Sequence, residues 1–227
     1  MTIGILTAMS VEHAQVEALL QDKITEVKGP QTFTIGSIGS HRIILLQCGI
    51  GKVNAAAGVT NLIIHYHPTC VLSTGCAGGI DAILNVGDVV ASTEICYHDV
   101  FCGEDVELGQ VQGLPRRFSG DEQLLKTATS LPNEIRVVPG LICSGDRFVT
   151  DRSELDAIKA IYSDGLAVDM ESAAIAHVCH LWNVPFLSFR VISDTPGADA
   201  HFQQYLNFWQ TMAERSFTIT RQFLQAL

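Results

Sequence analysis

The chain has 227 residues, 47% of them apolar and 17% charged, which suits one domain, 1–227, with a sizeable core. Its formal charge of −10 argues against a nucleic-acid or anionic-membrane partner, since both need basic patches. No stretch approaches a membrane span, and Met1-Thr-Ile-Gly-Ile-Leu-Thr-Ala8 lacks a signal peptide's basic and apolar regions, so a cytoplasmic protein is expected. Ile3 to Ala8 reads as a short apolar strand. Ser10 reads as the cap of a helix running to about Leu20, with Val11, Ala14 and Ala18 on one face. Glu12 falls in its first turn, either as a dipole-stabilised acid or as a functional carboxylate just beyond a strand end.

Residues 24–47 alternate like strands, with a Gly-Ser turn before His41. Cys48-Gly49-Ile50-Gly51-Lys52-Val53-Asn54 fails two motifs. Leu46 stands where a Walker A loop needs glycine, and Asn54 where a dinucleotide fingerprint needs it. The stretch is better read as a loop opening a helix from Val53 to about His65. Val71 begins a strand that enters a glycine-rich turn, Gly75-Cys76-Ala77-Gly78-Gly79. These glycines either pack closely or let a ligand approach the backbone. Val86 to Ile95 is another strand. His98-Asp99 follows it, but no G-x-S-x-G elbow accompanies the pair, so a structural histidine is expected. Residues 100–118 form a long acidic loop, suited to a lid or a subunit contact. A helix over 121–129 and a strand over 135–142 come next. Asp151 and Glu154 then begin a helix by capping-box logic.

Ala167 to Val178 reads as a buried helix with Glu171 in its first turn. A buried carboxylate needs a partner; as a bare pattern it also fits a cap at the helix dipole. Pro185 to Ile192 is a strand ending in Ser193-Asp194, and such ends face the ligand crevice in α/β proteins. Two acids thus reach one crevice from neighbouring elements. Tyr205, Trp209, Met212, Ile219 and Phe223 form one stripe of a terminal helix, expected as core or interface. His177 and His180, with Cys179 between them, lack further zinc ligands and read as core, so no metal is expected. The seven scattered cysteines, without C-x-x-C, fit buried thiols of a reducing compartment. Alternating strands and helices, with an antiparallel insert at 24–47, predict a three-layer α/β/α sandwich with a mixed central β-sheet.

Seven motifs in order carry a resemblance: residues 3–12, Gly49 to Val53, Thr74 to Gly79, Tyr97-His98-Asp99, Ser144 to Phe148, Val168 to Glu171, and Arg190 to Asp194. The chain resembles the bacterial 5′-methylthioadenosine/S-adenosylhomocysteine nucleosidases of the purine nucleoside phosphorylase superfamily. The resemblance covers essentially the whole chain. It implies a nucleoside phosphorylase-like fold, a homodimer, no cofactor, and hydrolysis of a small-molecule nucleoside to adenine and a 5′-thio-substituted ribose. Matched motif by motif, it implies that Glu12 activates the attacking water and that Asp194 protonates adenine N7. Met170 and Glu171 would hold the ribose, and the Gly78 backbone would lie against the substrate. Phe148 would stack on the base, and the Val149 backbone would read its edge. Met9 and Ile50 would line the apolar side, with Cys76, Ser193 and Arg190 completing the binding set. Glu12 is expected as a carboxylate favoured by its helix N-terminus, and Asp194 as a proton carrier, a pair pushed apart in pKa.

The chain departs from the family pattern where Cys76 replaces the usual serine, where 100–109 is acidic, and at Pro196-Gly197. Phe202 and Tyr205 are both candidates for closing the pocket. The rival readings are a phosphate-dependent phosphorylase, which needs cationic side chains around its phosphate, and a non-catalytic nucleoside sensor. A dehydrogenase is disfavoured by the missing fingerprint.

Overall fold

The computed structural model describes residues 1–131, 136–196, 204–208 and 213–227. Gly197, Phe202, Trp209 and Met212 lie outside the described residues. Ten strands form one mixed sheet. β1 (Thr2–Thr7) pairs parallel with β4 (His41–Gln47) on one side and with β5 (Cys70–Gly79) on the other. β2 (Gln21–Lys28) and β3 (Gln31–Ile38) extend β4 as an antiparallel wing, as the alternation in that stretch predicts.

On the other side the sheet closes on itself. β5 pairs with β10 (Phe186–Asp194), which pairs with β6 (Val89–Tyr97). β6 pairs with β8 (Val137–Ser144), then β9 (Gly165–Asp169), and β9 returns to β5. Each of these five strands sends a residue into one small cluster: Ala77, Val90, Ile142, Ala167 and Ile192. The ring is narrow, which explains the small residues of β5 and β9. β7 (Arg117–Ser119) hangs on β6.

Strand alternation sets the two outer cores. Ile3, Ile5, Ile43 and Leu45 face one cluster, with Val16 of α1 (Ser10–Glu17), Leu124 of α3 (Glu122–Thr129), and Ile219 and Phe223 of the C-terminal helix, Ala213–Ala226. Leu6, Ile44 and Leu46 face the other, under α2 (Lys52–Tyr66) and α5 (Ser172–Trp182). α4 (Arg152–Ile161) covers the closed part through Leu155 and Ile158.

Four sequence expectations are corrected. Ala167 to Asp169 is strand, because the backbones of β5 and β8 are there to pair with it; the helix begins at Ser172. Ser10 is the first helical residue, not the cap, and Met9 takes the cap position. Asp151 does occupy an N-cap, yet its side chain caps nothing, and Glu154 pairs with Arg147. The glycines of 75–79 continue β5 as strand.

Candidate active site

Seven chain segments meet at one cleft, of about 620 Å³ measured to its open mouth. β5 and β9 meet antiparallel only at their ends, Gly78 opposite Val168 and Gly79 opposite Ala167. Both strands therefore deliver their last residues to the same place. The cleft is lined by Met9, Glu12, Ile50, Cys76, Gly78, Phe148, Val149, Met170, Glu171, Ser193 and Asp194, all expected from the sequence. Ala8, Ala77, Arg147, Val168, Asp169 and Tyr205 also line it.

Glu12 is almost wholly buried, 1% exposed. Its Oε2 accepts from the Ala8 and Met9 amides, each at 3.0 Å, and its Oε1 from the Cys76 amide at 3.0 Å. The helix N-terminus and the glycine-rich strand thus grip one carboxylate. The balance of its pKa differs from the sequence expectation. Burial raises it more than Arg190 and the three amides lower it, so Glu12 titrates above the ordinary carboxylate range. Dipole and amides alone would have suggested the reverse.

Asp194 stands where β10 leaves its register. The pairing with β5 shifts between Ile192 and Asp194, so Ser193 bulges and Asp194 lies opposite Gly78. The Ser193 hydroxyl reaches Asp194 Oδ1 at 2.6 Å and the Ala77 carbonyl at 3.2 Å. A Cβ at Gly78 would come within 3.3 Å of Asp194 Oδ2, so the bare backbone leaves the carboxyl face open. Cys76 and Gly78, the anchor points of the two acids, are two residues apart, roughly 7 Å along the strand.

Glu171 occupies the N-cap position of α5, but its side chain does not cap the helix; it accepts the Gly51 amide at 2.9 Å instead. Burial raises its pKa, Arg190 lowers it, and Asp169 raises it again, leaving it pushed up to about 7. Arg190 is placed differently from the sequence expectation. It is fully buried and absent from the cleft lining, lying beneath the acids. Its Nε pairs with Asp169 at 2.9 Å, and one Nη is 3.8 Å from Glu171. Burial works against its charge, but Asp169, Glu171 and Glu12 outweigh it and hold the guanidinium protonated. Asp169 in turn accepts from Ser144 at 2.5 Å and from Ser172.

At the mouth, Phe148 is half exposed and meets Tyr205 edge-on, with ring centroids 5.3 Å apart. The Tyr205 hydroxyl reaches Met9 Sδ at 3.6 Å. Tyr205 therefore belongs to the cleft rather than to a core stripe. Loop 100–118 contributes nothing to the lining within this chain. Its contacts include Arg116 with Glu107 at 2.6 Å, Arg117 with Asp164 at 2.7 Å, and Leu108 with the Tyr162 hydroxyl at 3.0 Å. Asp99 binds Lys52 rather than His98. His177 stacks on Phe118 with centroids 5.3 Å apart, as packing predicts.

Comparison with known proteins gives this geometry a context. A family model described as "Phosphorylase superfamily" matches residues 2–225. The 5′-methylthioadenosine/S-adenosylhomocysteine nucleosidase of Bacillus cytotoxicus is 42% identical over 214 residues, 91% of this chain and 92% of that protein. The chain belongs to that nucleosidase family. The Bacillus subtilis member is 41% identical over 212 residues, again 91% and 92% of the two chains. The nucleosidase of Neisseria meningitidis, solved in complex with methylthio-immucillin-A, superposes with a TM-score of 0.93 at 33% identity, covering 100% of this chain and 99% of that one. The nucleoside phosphorylase-like fold expected from the motifs is the fold observed.

Proposed function

We propose that this nucleosidase cleaves 5′-methylthioadenosine and S-adenosylhomocysteine to adenine and the 5′-substituted ribose, with Glu12 and Asp194 as its acid–base pair. 5′-Deoxyadenosine fits the same chemistry. Adenine leaves poorly as an anion, so N7 must gain a proton as the glycosidic bond breaks. Asp194 supplies that proton from the Gly78 side. Charge then builds on the ribose as in glycoside hydrolysis, and water attacks C1′. Glu12 takes the water's proton. Its raised pKa makes it a stronger base, while Arg190 and the three amides favour its ionised form. Glu171 accepts from the ribose hydroxyls beside Met170, and Phe148 with the Val149 backbone holds the base.

One observation favours hydrolysis over phosphorolysis. The Ala8, Met9 and Cys76 amides could cradle an anion, but the Glu12 carboxylate occupies all three. A phosphate there would meet a negative charge instead of donors. Arg147, which lines the cleft, is paired with Glu154.

The same reading makes the protein a cytoplasmic homodimer. Ile50 at the cleft mouth, Val53 beside it and Phe101 are 52, 79 and 68% exposed, apolar surface that a second copy would cover. All seven cysteines are free, which suits a reducing compartment. No helix among the described residues is long and apolar enough to cross a membrane.

The test is adenine release from methylthioadenosine with and without phosphate. Equal rates, with free methylthioribose as co-product, are expected. A phosphate requirement and a sugar 1-phosphate product would overturn the reading, and tight nucleoside binding without product would favour a sensor.

A further inference from the structure

Three loops around the cleft meet at one charged node that is not part of the cleft lining. The first lies between β4 and α2 and carries Ile50 and Gly51. The second follows β6 and carries Asp99. The third follows β8 and carries Asp146, Arg147, Phe148 and Val149. Lys52 Nζ donates to both oxygens of Asp99, at 2.9 and 2.8 Å, and lies 3.6 Å from Asp146 Oδ2. The Asp146 amide donates to Asp99 Oδ2 at 2.8 Å. The Lys52 amide donates to Asp146 Oδ1 at 2.8 Å.

These bonds have a particular arrangement. The N-cap of α2 is Gly51, which has no side chain to cap with. Asp146 reaches across from the third loop and accepts the first amide of the helix, where an anion is favoured. The neighbouring Gly51 amide holds Glu171. The residues immediately after Asp146 carry the cleft's base-side wall, Phe148 and Val149. One end of the node therefore governs the ribose acceptor and the other the base clamp. The three side chains are only partly shielded, at 22, 28 and 48% exposure for Lys52, Asp99 and Asp146. Lys52 also sits over the Tyr97 ring, 5.5 Å from its centroid. Isolated ion pairs at such exposure stabilise little. A network that spans three loops instead restricts how those loops move relative to one another.

We infer that Lys52, Asp99 and Asp146 form a positioning node that fixes the distance between the ribose-binding and base-binding halves of the cleft, so that the nucleoside is held across its glycosidic bond as one unit. None of the three is a catalytic residue. The inference rests on the proposed placement of ribose at Glu171 and base at Phe148.

The experiment compares the full-length wild type with Lys52→Met, Asp99→Asn, the double variant and Lys52→Arg. Readouts are kcat and KM for methylthioadenosine, Kd for free adenine, and Tm. Misplacing bound groups by about an ångström costs up to roughly 100-fold. We expect each single variant to lower kcat/KM about 10- to 100-fold, on that basis, while free adenine, which uses only one half, binds within about threefold of wild type. The double variant should lose no more than the worse single variant, since the two side chains act through one bond. Lys52→Arg should recover most of the loss. Unchanged kcat/KM in folded single variants, additive losses, or equal loss of adenine and nucleoside affinity would overturn the node. Inactivity of the wild type itself would instead sink the proposed function.

Discussion

Glu12 and Arg190 approach each other across the space a single methyl group would fill. A Cβ built at Gly75 would collide with Glu12 Oε1 and lie 2.7 Å from Arg190 Nη1. Position 75 thus keeps the buried Glu12 carboxylate, the proposed base, and the buried cation within reach of each other. Gly75→Ala should force them apart. Overpacking of this kind costs about 1–3 kcal/mol, and separation of Glu12 from its counter-charge favours its neutral form. The expected outcome is a lower Tm and, in the folded fraction, at least a roughly 100-fold loss of adenine release, comparable to losing general-base catalysis. Thermal melts with turnover at saturating nucleoside check it; a Gly75→Ala enzyme with normal kcat removes the Glu12–Arg190 approach from the mechanism.

Glu171 carries a stability cost that its proposed role, holding the ribose as a carboxylate, would require. Its pKa is pushed from 4.5 in an unfolded chain to about 7, by burial first and then by Asp169, against Arg190. The folded state therefore holds this proton more tightly than the unfolded state does. The stabilisation is fully present below pH 4.5 and is lost as pH rises through about 7. Above that, keeping the group ionised costs on the order of 3 kcal/mol. Glu171→Gln should raise Tm by roughly 5 °C or more at pH 8 and by little at pH 4.5. The wild-type KM should fall as pH climbs through 7, because only the carboxylate accepts two ribose hydroxyls, and the variant should lack that dependence. Equal Tm shifts at both pH values would contradict the assignment.

Glu12, Glu171 and Asp194 were legible in the sequence because each interrupts an apolar run at the end of a strand or the start of a helix. A carboxylate at a helix start also fits a dipole-stabilised acid, so the ordered motifs, not the pattern alone, singled these residues out. Arg190 was misplaced for the opposite reason. Arginine is ordinarily exposed, and its burial is intelligible only once Asp169, Glu171 and Glu12 surround it. β9 was missed because a run of small apolar residues serves a buried helix and a closed ring of strands equally well. The upward shift of Glu12 depends on how completely its neighbours exclude water, which no local pattern records. The link between Lys52 and Asp99 joins residues far apart in the chain, and adjacency drew attention to His98 instead.

Asp194→Asn tests the proposed proton delivery apart from binding. Asparagine keeps the shape beside Gly78 and can still accept from the Ser193 hydroxyl. It has no acidic proton for N7. General-acid catalysis contributes about 10²–10⁴-fold, so kcat should fall within or beyond that range while adenine affinity changes by less than about tenfold. Single-turnover adenine release and calorimetric adenine binding measure the two effects. Turnover at the wild-type rate would remove Asp194 from the proton path.

Phe148 tests the base side by itself. Its ring is half exposed at the mouth and is held edge-on by Tyr205. Stacking of a base on an aromatic side chain is worth about 1–3 kcal/mol. Phe148→Ala should therefore raise KM for methylthioadenosine roughly 5- to 100-fold and leave kcat within about threefold, since the stack forms before and persists through bond cleavage. Free adenine should weaken by the same factor, unlike its behaviour in the Lys52 and Asp99 variants. Phe148→Tyr should behave like wild type. A kcat effect larger than the KM effect would mean that the ring acts on the transition state, and that the base is held elsewhere in the ground state.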